Sequence, residues 1–275
     1  EAVFYFHPNA KVIIHSNTIT QRDTKLDLFF EAGYDLEIRG YSFTELLNNA
    51  QFIEHEQKAQ FLKRLEMQVK QQYWWVHEVD LIRMLILEQR GGVMMDTDMH
   101  LLQPIPTSFV NVAGWLNQEA DTIGTGFLAF EKHNPFLQDL IIDALHLNNN
   151  HYDKERFEIF GSDLITKHYS EILEVEKGTE DLTILQHTVF YAYDKPSTCF
   201  TTNRDAYYPI VKEFSFGIHM NTRKKREVEF PLPGSVCDEM LRQHCIFCDG
   251  FIPLRDPPIQ ITKGENKENI KEKKL

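Results

Sequence analysis

At 275 residues, with 42% hydrophobic and 25% charged side chains, the chain has the composition of a folded globular protein with room for a substantial core. Disordered, collagen-like and disulfide-dense classes are excluded. Lys plus Arg total 29 against 41 Asp plus Glu, a formal charge of −12, and an acidic chain is a poor nucleic-acid binder.

No apolar run approaches the roughly 20 residues that span a bilayer. The chain opens at Glu1 inside what reads as a continuing element, Glu1 to Phe6, so it is expected to be N-terminally incomplete. Phe4-Tyr5-Phe6 reads as one buried helix face. Lys11-Val-Ile-Ile-His15, after His7-Pro8, reads as a buried strand. Phe43 to Leu47 and Gln51 to Lys70 read as helices. Tyr73-Trp74-Trp75 reads as helix-start packing, with sugar stacking as the alternative. The clearest helix is Trp75 to Gln89, with Val79, Ile82 and Ile86 on one face, stopped by Gly91-Gly92. Val93-Met94-Met95 follows as a short buried strand. Phe127 to Phe130 is a strand, Pro135 to Leu147 and Ser162 to Ile172 are helices, and Val189 to Tyr193 and Phe214 to His219 are strands. Arg223-Lys-Lys-Arg226 reads as a solvated loop. Residues 1–250 form one expected domain and 251–275 an extension, of which 262–275 is lysine-rich, solvated and disordered. Helices alternating with short apolar strands indicate an α/β fold.

Four cysteines are present, Cys199, Cys237, Cys245 and Cys248. Three readings stay open: a zinc site using His244, a disulfide within the C-terminal segment, or packed free thiols. The lack of a second C-x-x-C counts against zinc, and an oxidising compartment favours the disulfide.

The chemistry concentrates in His77 to Leu102. Asp96 and Asp98 end the Val93–Met95 strand, where residues i and i+2 point the same way. Two such carboxylates repel unless a cation lies between them, and hard oxygen ligands suit Mg²⁺ or Mn²⁺. A bound cation would let an acidic protein hold a diphosphate. Asp80 and Arg83 are neighbours at i, i+3 on the preceding helix. On spacing alone they are an ordinary ion pair.

The string D80-x-x-R83-x-x-x-L87-x-x-x-G91-G92-V93-x-x-D96-x-D98 resembles the sugar-binding region of glycosyltransferase family 32, and more narrowly the α-1,4-galactosyltransferase-like proteins. The likeness continues in order through His7-Pro8, Val12 to Ser16, Phe127 to Glu131, Pro135-Phe136, Gly161 to Thr166, Tyr207-Tyr-Pro209, His219, and His244 to Cys248. The chain differs from the family at Gly124-Thr125, in place of Asn-Gly, and at Met220-Asn221, in place of Trp-Asn.

The resemblance implies a GT-A type nucleotide-sugar-binding fold, a mainly parallel central sheet flanked by helices. It implies retaining transfer of a hexose, usually galactose, from a UDP-sugar with Mn²⁺ or Mg²⁺ as cofactor. Asp98 would be the direct metal ligand, Asp96 would touch the donor ribose or the metal, and His219 would be a third ligand. Asp163 would serve at the donor site, and Asp80, Arg83, Gly91 and Gly92 would contact the nucleotide-sugar. The implied acceptor is a glycan or glycolipid. The implied location is the Golgi lumen, with a membrane anchor in the part that precedes this sequence. A truncated transferase that binds without turnover, and a D-x-D phosphatase using Asp96 as nucleophile, are the alternatives.

Overall fold

A computed structural model describes residues 1–19, 24–174, 182–193, 198–221 and 231–247. The basic run from Arg223 to Arg226, Cys248 and the extension 251–275 lie outside the described residues. The elements run α1 (Ala2–Phe6), β1 (Val12–His15), α2 (Thr24–Glu31), β2 (Leu36–Arg39), α3 (Phe43–Asn49), α4 (His55–Gln68), α5 (Trp74–Arg90), β3 (Gly92–Met95) and β4 (Met99–Leu101). They continue as β5 (Val112–Trp115), β6 (Ile123–Phe130), α6 (Pro135–His151), α7 (Ser162–Glu174), β7 (Thr183–Leu185), α8 (Thr198–Thr201), α9 (Arg204–Phe214), β8 (Gly217–His219) and α10 (Val236–Gln243).

The α/β class holds, but a mainly parallel central sheet does not. Among the described residues the strands form three small sheets, ordered β1-β2, β3-β6-β5-β7 and β4-β8. β1 pairs with β2, and β5 with β7, in parallel, whereas β6 runs antiparallel to both β3 and β5, and β4 antiparallel to β8. In the four-stranded sheet the antiparallel pairings are those of β6, which lies between β3 and β5.

Local chemistry explains the helix ends nearest the site. Gly91 caps α5 with φ of 67°, and a Cβ there would lie 2.7 Å from the backbone nitrogen of Lys132. Only glycine combines that backbone with so close an approach. Asn134 caps α6 by accepting from Leu137 N–H, with Pro135 in the first turn, where its missing N–H costs nothing. α5 is buried over most of its length, and it touches β3, β6 and α6. Leu81, Leu85 and Leu87 are each at most 2% exposed. Each such leucine contributes about 1.5–3 kcal/mol of burial free energy. Ile82 and Ile86 share that core, whereas Val79 is 40% exposed and lines a cleft.

A second, smaller core gathers Leu102, Phe200, Tyr208, Ile218, Val236 and Met240 around the disulfide Cys199–Cys237. Four expectations are corrected. Val189 to Tyr193 is not a strand, because a 3₁₀ turn at His187–Val189 folds Tyr191 N–H back onto the His187 carbonyl. Val93 is 48% exposed, so β3 is an edge strand and not a buried one. Phe214 ends α9 and is not part of β8. The α1 aromatics serve two faces: Phe4 packs on Phe29 and Tyr34, while Tyr5 and Phe6 pack on His244.

α5 is tied to the α6–α7 connection by His77, which is fully buried. Its Nε2 faces the Arg156 carbonyl at 2.9 Å, so that nitrogen carries the proton and Nδ1 accepts from the Tyr152 hydroxyl at 2.8 Å. Burial lowers the His77 pKa, against the raising effect of its backbone hydrogen bonds. The folded state therefore binds this proton less readily than the unfolded chain. The stabilisation is present above the unfolded pKa near 6.5 and is lost as pH falls from there through the lower folded value. Denaturant unfolding at pH 7.5 and pH 5 should show the wild type losing stability on acidification by up to about 1.4 kcal/mol per pH unit for this proton. His77→Gln should lose part of that slope; an unchanged slope would refute the assignment.

Candidate active site

The acids sit in a turn. β3 ends at Met95, Asp96 N–H donates to the Gly126 carbonyl at 2.9 Å, and Met99 N–H returns to the Asp96 carbonyl at 3.0 Å. Their convergence therefore comes from the β3–β4 turn, and not from strand alternation as the spacing predicts. The pairing of β4 with β8 then supplies the histidine. Met99 registers with His219, and Met220 N–H donates to the Asp98 carbonyl at 2.9 Å. His219 Nε2 consequently lies 3.1 Å from Asp98 Oδ1 and 3.3 Å from Asp96 Oδ2.

One ligand atom from each of Asp96, Asp98 and His219 falls within 4.8 Å of the others, and this group is the metal-competent cluster among the described residues. Two carboxylates and an imidazole form a donor set that fits Mn²⁺ and, less closely, Mg²⁺. Burial opposes charge on His219, but the hydrogen bonds and charges of Asp96 and Asp98 outweigh it, lifting its pKa to about 9. Protonated, the imidazole Nε2–H would be shared between the two acids. Asp96 and Asp98 line a cleft of about 1110 Å³, walled by β1, α5, β3 and the segment from Ile105 to Phe109. That volume suits a nucleotide-sugar-sized ligand.

Arg83 braces the cluster. It donates to Asp96 Oδ1 at 2.5 Å and to the Thr125 carbonyl. Burial alone would lower its pKa, but the charges of Asp96 and Asp80 reverse this and raise it. Burial would likewise raise the Asp96 pKa, and His219 and Arg83 reverse that. Arg83 is 6% exposed and lines the same cleft as Asp96. Asp80 is buried one turn earlier, with its carboxylate against Gly161, where a Cβ would approach Oδ2 to 2.6 Å.

The other expected residues lie apart. Asp163 opens α7 and pairs with Arg156 at 2.7 Å. Gly91 and Gly92 stand at the start of β3, opposite the end that leads to Asp96, about 13 Å away at strand rise. Gly91 stops α5 there. Trp74 is buried and Trp75 is 53% exposed beside Phe157.

Sequence reasoning missed Tyr191. It is 2% exposed, its ring edge meets His219 at 5.7 Å, and its hydroxyl accepts from Phe127 N–H at 3.1 Å. Burial, then the Asp96 charge, raises its pKa, so it keeps its proton. The available signal was glycine alternation at Gly124 and Gly126, which clears the space that the ring occupies.

The glycosyltransferase sugar-binding region containing the DXD motif matches residues 1–120, and the alpha 1,4-glycosyltransferase conserved region matches residues 129–251. An uncharacterised protein of Arabidopsis thaliana is 25% identical over 219 residues, covering 78% of this chain and 32% of its own length. The chain thus spans about a third of that curated relative. Among solved structures, the PaToxG glycosyltransferase is similar with a TM-score of 0.43 and 16% identity, over 64% of this chain and 62% of its own. Asp96 and Asp98 belong to the first matched region and His219 to the second, so the cluster needs both. The chain therefore belongs to the glycosyltransferases in which a DXD sugar-binding region is followed by an α-1,4-glycosyltransferase conserved region.

Proposed function

We propose that this chain is the catalytic region of a metal-dependent retaining transferase of the GT-A type. It moves a hexose, galactose foremost, from a UDP-sugar to a glycan or glycolipid acceptor. The observation that carries the reading is the convergence of Asp96, Asp98 and His219 beside a cleft of nucleotide-sugar size. A divalent ion held there would supply Lewis-acid stabilisation to the departing diphosphate. The bond between the anomeric carbon and the diphosphate oxygen breaks, the acceptor oxygen bonds to that carbon, and the hydroxyl proton leaves. Arg83 holds Asp96 in place throughout. The protonated His219 must release its proton before Nε2 can serve as a ligand.

The disulfide Cys199–Cys237 supports an oxidising compartment, such as the Golgi lumen. No helix among the described residues is long and apolar enough to cross a membrane. A membrane anchor, if this is a piece of a longer protein, is a further part of the proposal.

One observation favours a second reading, nucleotide-sugar binding without turnover. Among the described residues β1-β2 and β3-β6-β5-β7 are separate sheets, and no strand bridges β1 and β3 across the cleft. Calorimetry with UDP, UDP-galactose, UDP-N-acetylglucosamine and GDP-mannose, each with Mn²⁺, tests the proposal. The expected result is Mn²⁺-dependent binding with a preference for UDP-sugars. Equal binding of UDP-sugars and GDP-mannose would overturn the donor assignment. Binding without release of galactose to acceptor or water would select the second reading.

A further inference from the structure

The N-terminal end of α5 carries aromatic surface that packing leaves in water. Trp75 is 53% exposed and Phe157 37%. The Phe157 ring meets Tyr73 at 5.3 Å and Trp75 at 6.2 Å, close to perpendicular in both cases. Contiguous exposed rings forgo the free energy of burial, and surfaces that do so mark binding sites. The group is also firmly mounted. Tyr73 is the N-cap residue of α5, and Phe157 follows Arg156, whose carbonyl accepts from the fully buried His77. Rings already held in place lose little freedom when a ligand arrives.

The place of these rings in the fold indicates the occupant. Trp75, Val79, Ile82 and Ile86 recur at helical spacing on one face of α5, and the last three line the cleft. Trp75 therefore continues that row one turn outward from the cleft. Gly91 turns the chain from α5 into β3 and the two elements pack together, so the N-terminal end of α5 returns to the end of β3 that leads to the acids. Counted from Gly91, sixteen residues of helix rise about 24 Å and five residues of extended chain about 17 Å, which sets Trp75 roughly 8 Å beyond Asp96 along the elements. Polar groups border the rings. Arg156 pairs with Asp163 at 2.7 Å, and their side chains are 61% and 32% exposed. Partly buried Glu78 lies one turn after Trp75. A flat apolar face edged by a guanidinium and carboxylates matches a pyranose, which is apolar across its C–H face and hydroxylated around its rim.

We propose that the Tyr73, Trp75 and Phe157 group is an acceptor subsite, in which Trp75 stacks on the C–H face of a sugar residue of the acceptor glycan and the Arg156–Asp163 pair hydrogen-bonds its hydroxyls. The inference deepens the transferase reading above and rests on it for the class of ligand. Because Trp75 stands beyond the cleft, the sugar it holds is a neighbour of the one that receives the hexose, in the same glycan.

Tryptophan fluorescence of the whole chain, titrated in the absence of donor with lactose, N-acetyllactosamine, cellobiose and mannobiose, tests this. Trp75 is the most exposed of the three tryptophans, so stacking registers in the emission. At least one disaccharide should shift the emission saturably. Trp75→Ala should raise the Kd of that disaccharide, measured by calorimetry, by about 10-fold or more, the loss expected for a tryptophan at the centre of a contact. Trp75→Phe, which keeps an aromatic face, should recover most of the loss, whereas Trp75→Leu, equally apolar, should not. A wild type that responds to none of the four overturns the proposal, as does an unchanged Kd in Trp75→Ala or equal rescue by phenylalanine and leucine. Phe157→Ala, at the ring beside it, should weaken the same disaccharide and carries the test if Trp75→Ala fails to fold; an unchanged Kd there also counts against the group. UDP titrated with Mn²⁺ checks the underlying reading separately. A wild type that binds UDP but no disaccharide loses the subsite and keeps the transferase reading. One that binds disaccharide through Trp75 but not UDP removes the transferase reading, and the rings are then a sugar site but no acceptor subsite. Self-association of the chain in gel filtration that Trp75→Ala abolishes, with no response to disaccharide, would assign the rings to a contact between copies and overturn the proposal.

Discussion

Replacing Asp98 by alanine is expected to lower the rate of sugar transfer about a thousandfold, the loss of several kcal/mol of transition-state charge stabilisation. Asp96 already has Arg83 on one oxygen and faces His219 with the other, whereas Asp98 meets His219 through Oδ1 from the opposite side of the turn. On the proposed metal-dependent reading, Asp98 is the acid that would close the cluster around an ion. Because it lies in the turn between two short strands, its removal leaves both hydrophobic cores intact. The thermal midpoint of the variant should stay within a few degrees of wild type, because the lost Asp98–His219 hydrogen bond is offset in part by relief of the repulsion between the two carboxylates. Transfer assays with saturating Mn²⁺ and UDP-galactose measure the effect. A drop of less than tenfold would mean that the ion, or the diphosphate, is held elsewhere.

Arg83→Leu should be the most destabilising single change near the site. Its side chain is 7% exposed and that of Asp96 19%, so solvent screens the pair little. Removing the arginine leaves a desolvated carboxylate and an unpartnered Thr125 carbonyl. Breaking one partner out of a buried pair costs about 3–5 kcal/mol. Urea denaturation should show the midpoint falling with little change in slope. The double variant Arg83→Leu with Asp96→Asn should recover much of the loss, since it removes the stranded charge. A loss below about 1 kcal/mol for the single variant would show that water reaches the pair.

The site was largely legible because its chemistry is local. Asp96, Asp98 and the helix carrying Asp80 and Arg83 fall within nineteen residues, and Gly91 marks where that helix must stop. The resemblance added His219, which no spacing rule could have delivered: it arrives through the register of β4 with β8, a pairing across 120 residues from Met99 to His219. Arg83 was found as a neighbour of Asp80, but its bond to Asp96 was not, because an i, i+3 spacing says nothing of the turn that folds Asp96 onto it. Tyr191 was missed because its tract, rich in β-branched and aromatic residues, has the composition of a strand. Local turn hydrogen bonds at His187 override that preference. α9 was hidden by Pro209, which sits inside the helix beyond the Asn203 cap. The sheet architecture was misread for a related reason. Strand propensity does not encode direction, and the antiparallel run of β6 is set by the connections on either side of it.

The cluster also joins two bodies of packing. Asp96 and Asp98 leave β3 at the edge of the larger core, while His219 follows Ile218, a member of the disulfide-containing core. Whatever cross-links these three side chains acts as a further rivet between halves that also meet through the β4–β8 ladder and the stacking of Phe127 on Phe190. Filling the site is then worth conformational free energy as well as chemistry. An ion-depleted molecule would breathe along that seam, and sequestering the ion would expose the seam to proteases before either half unravels.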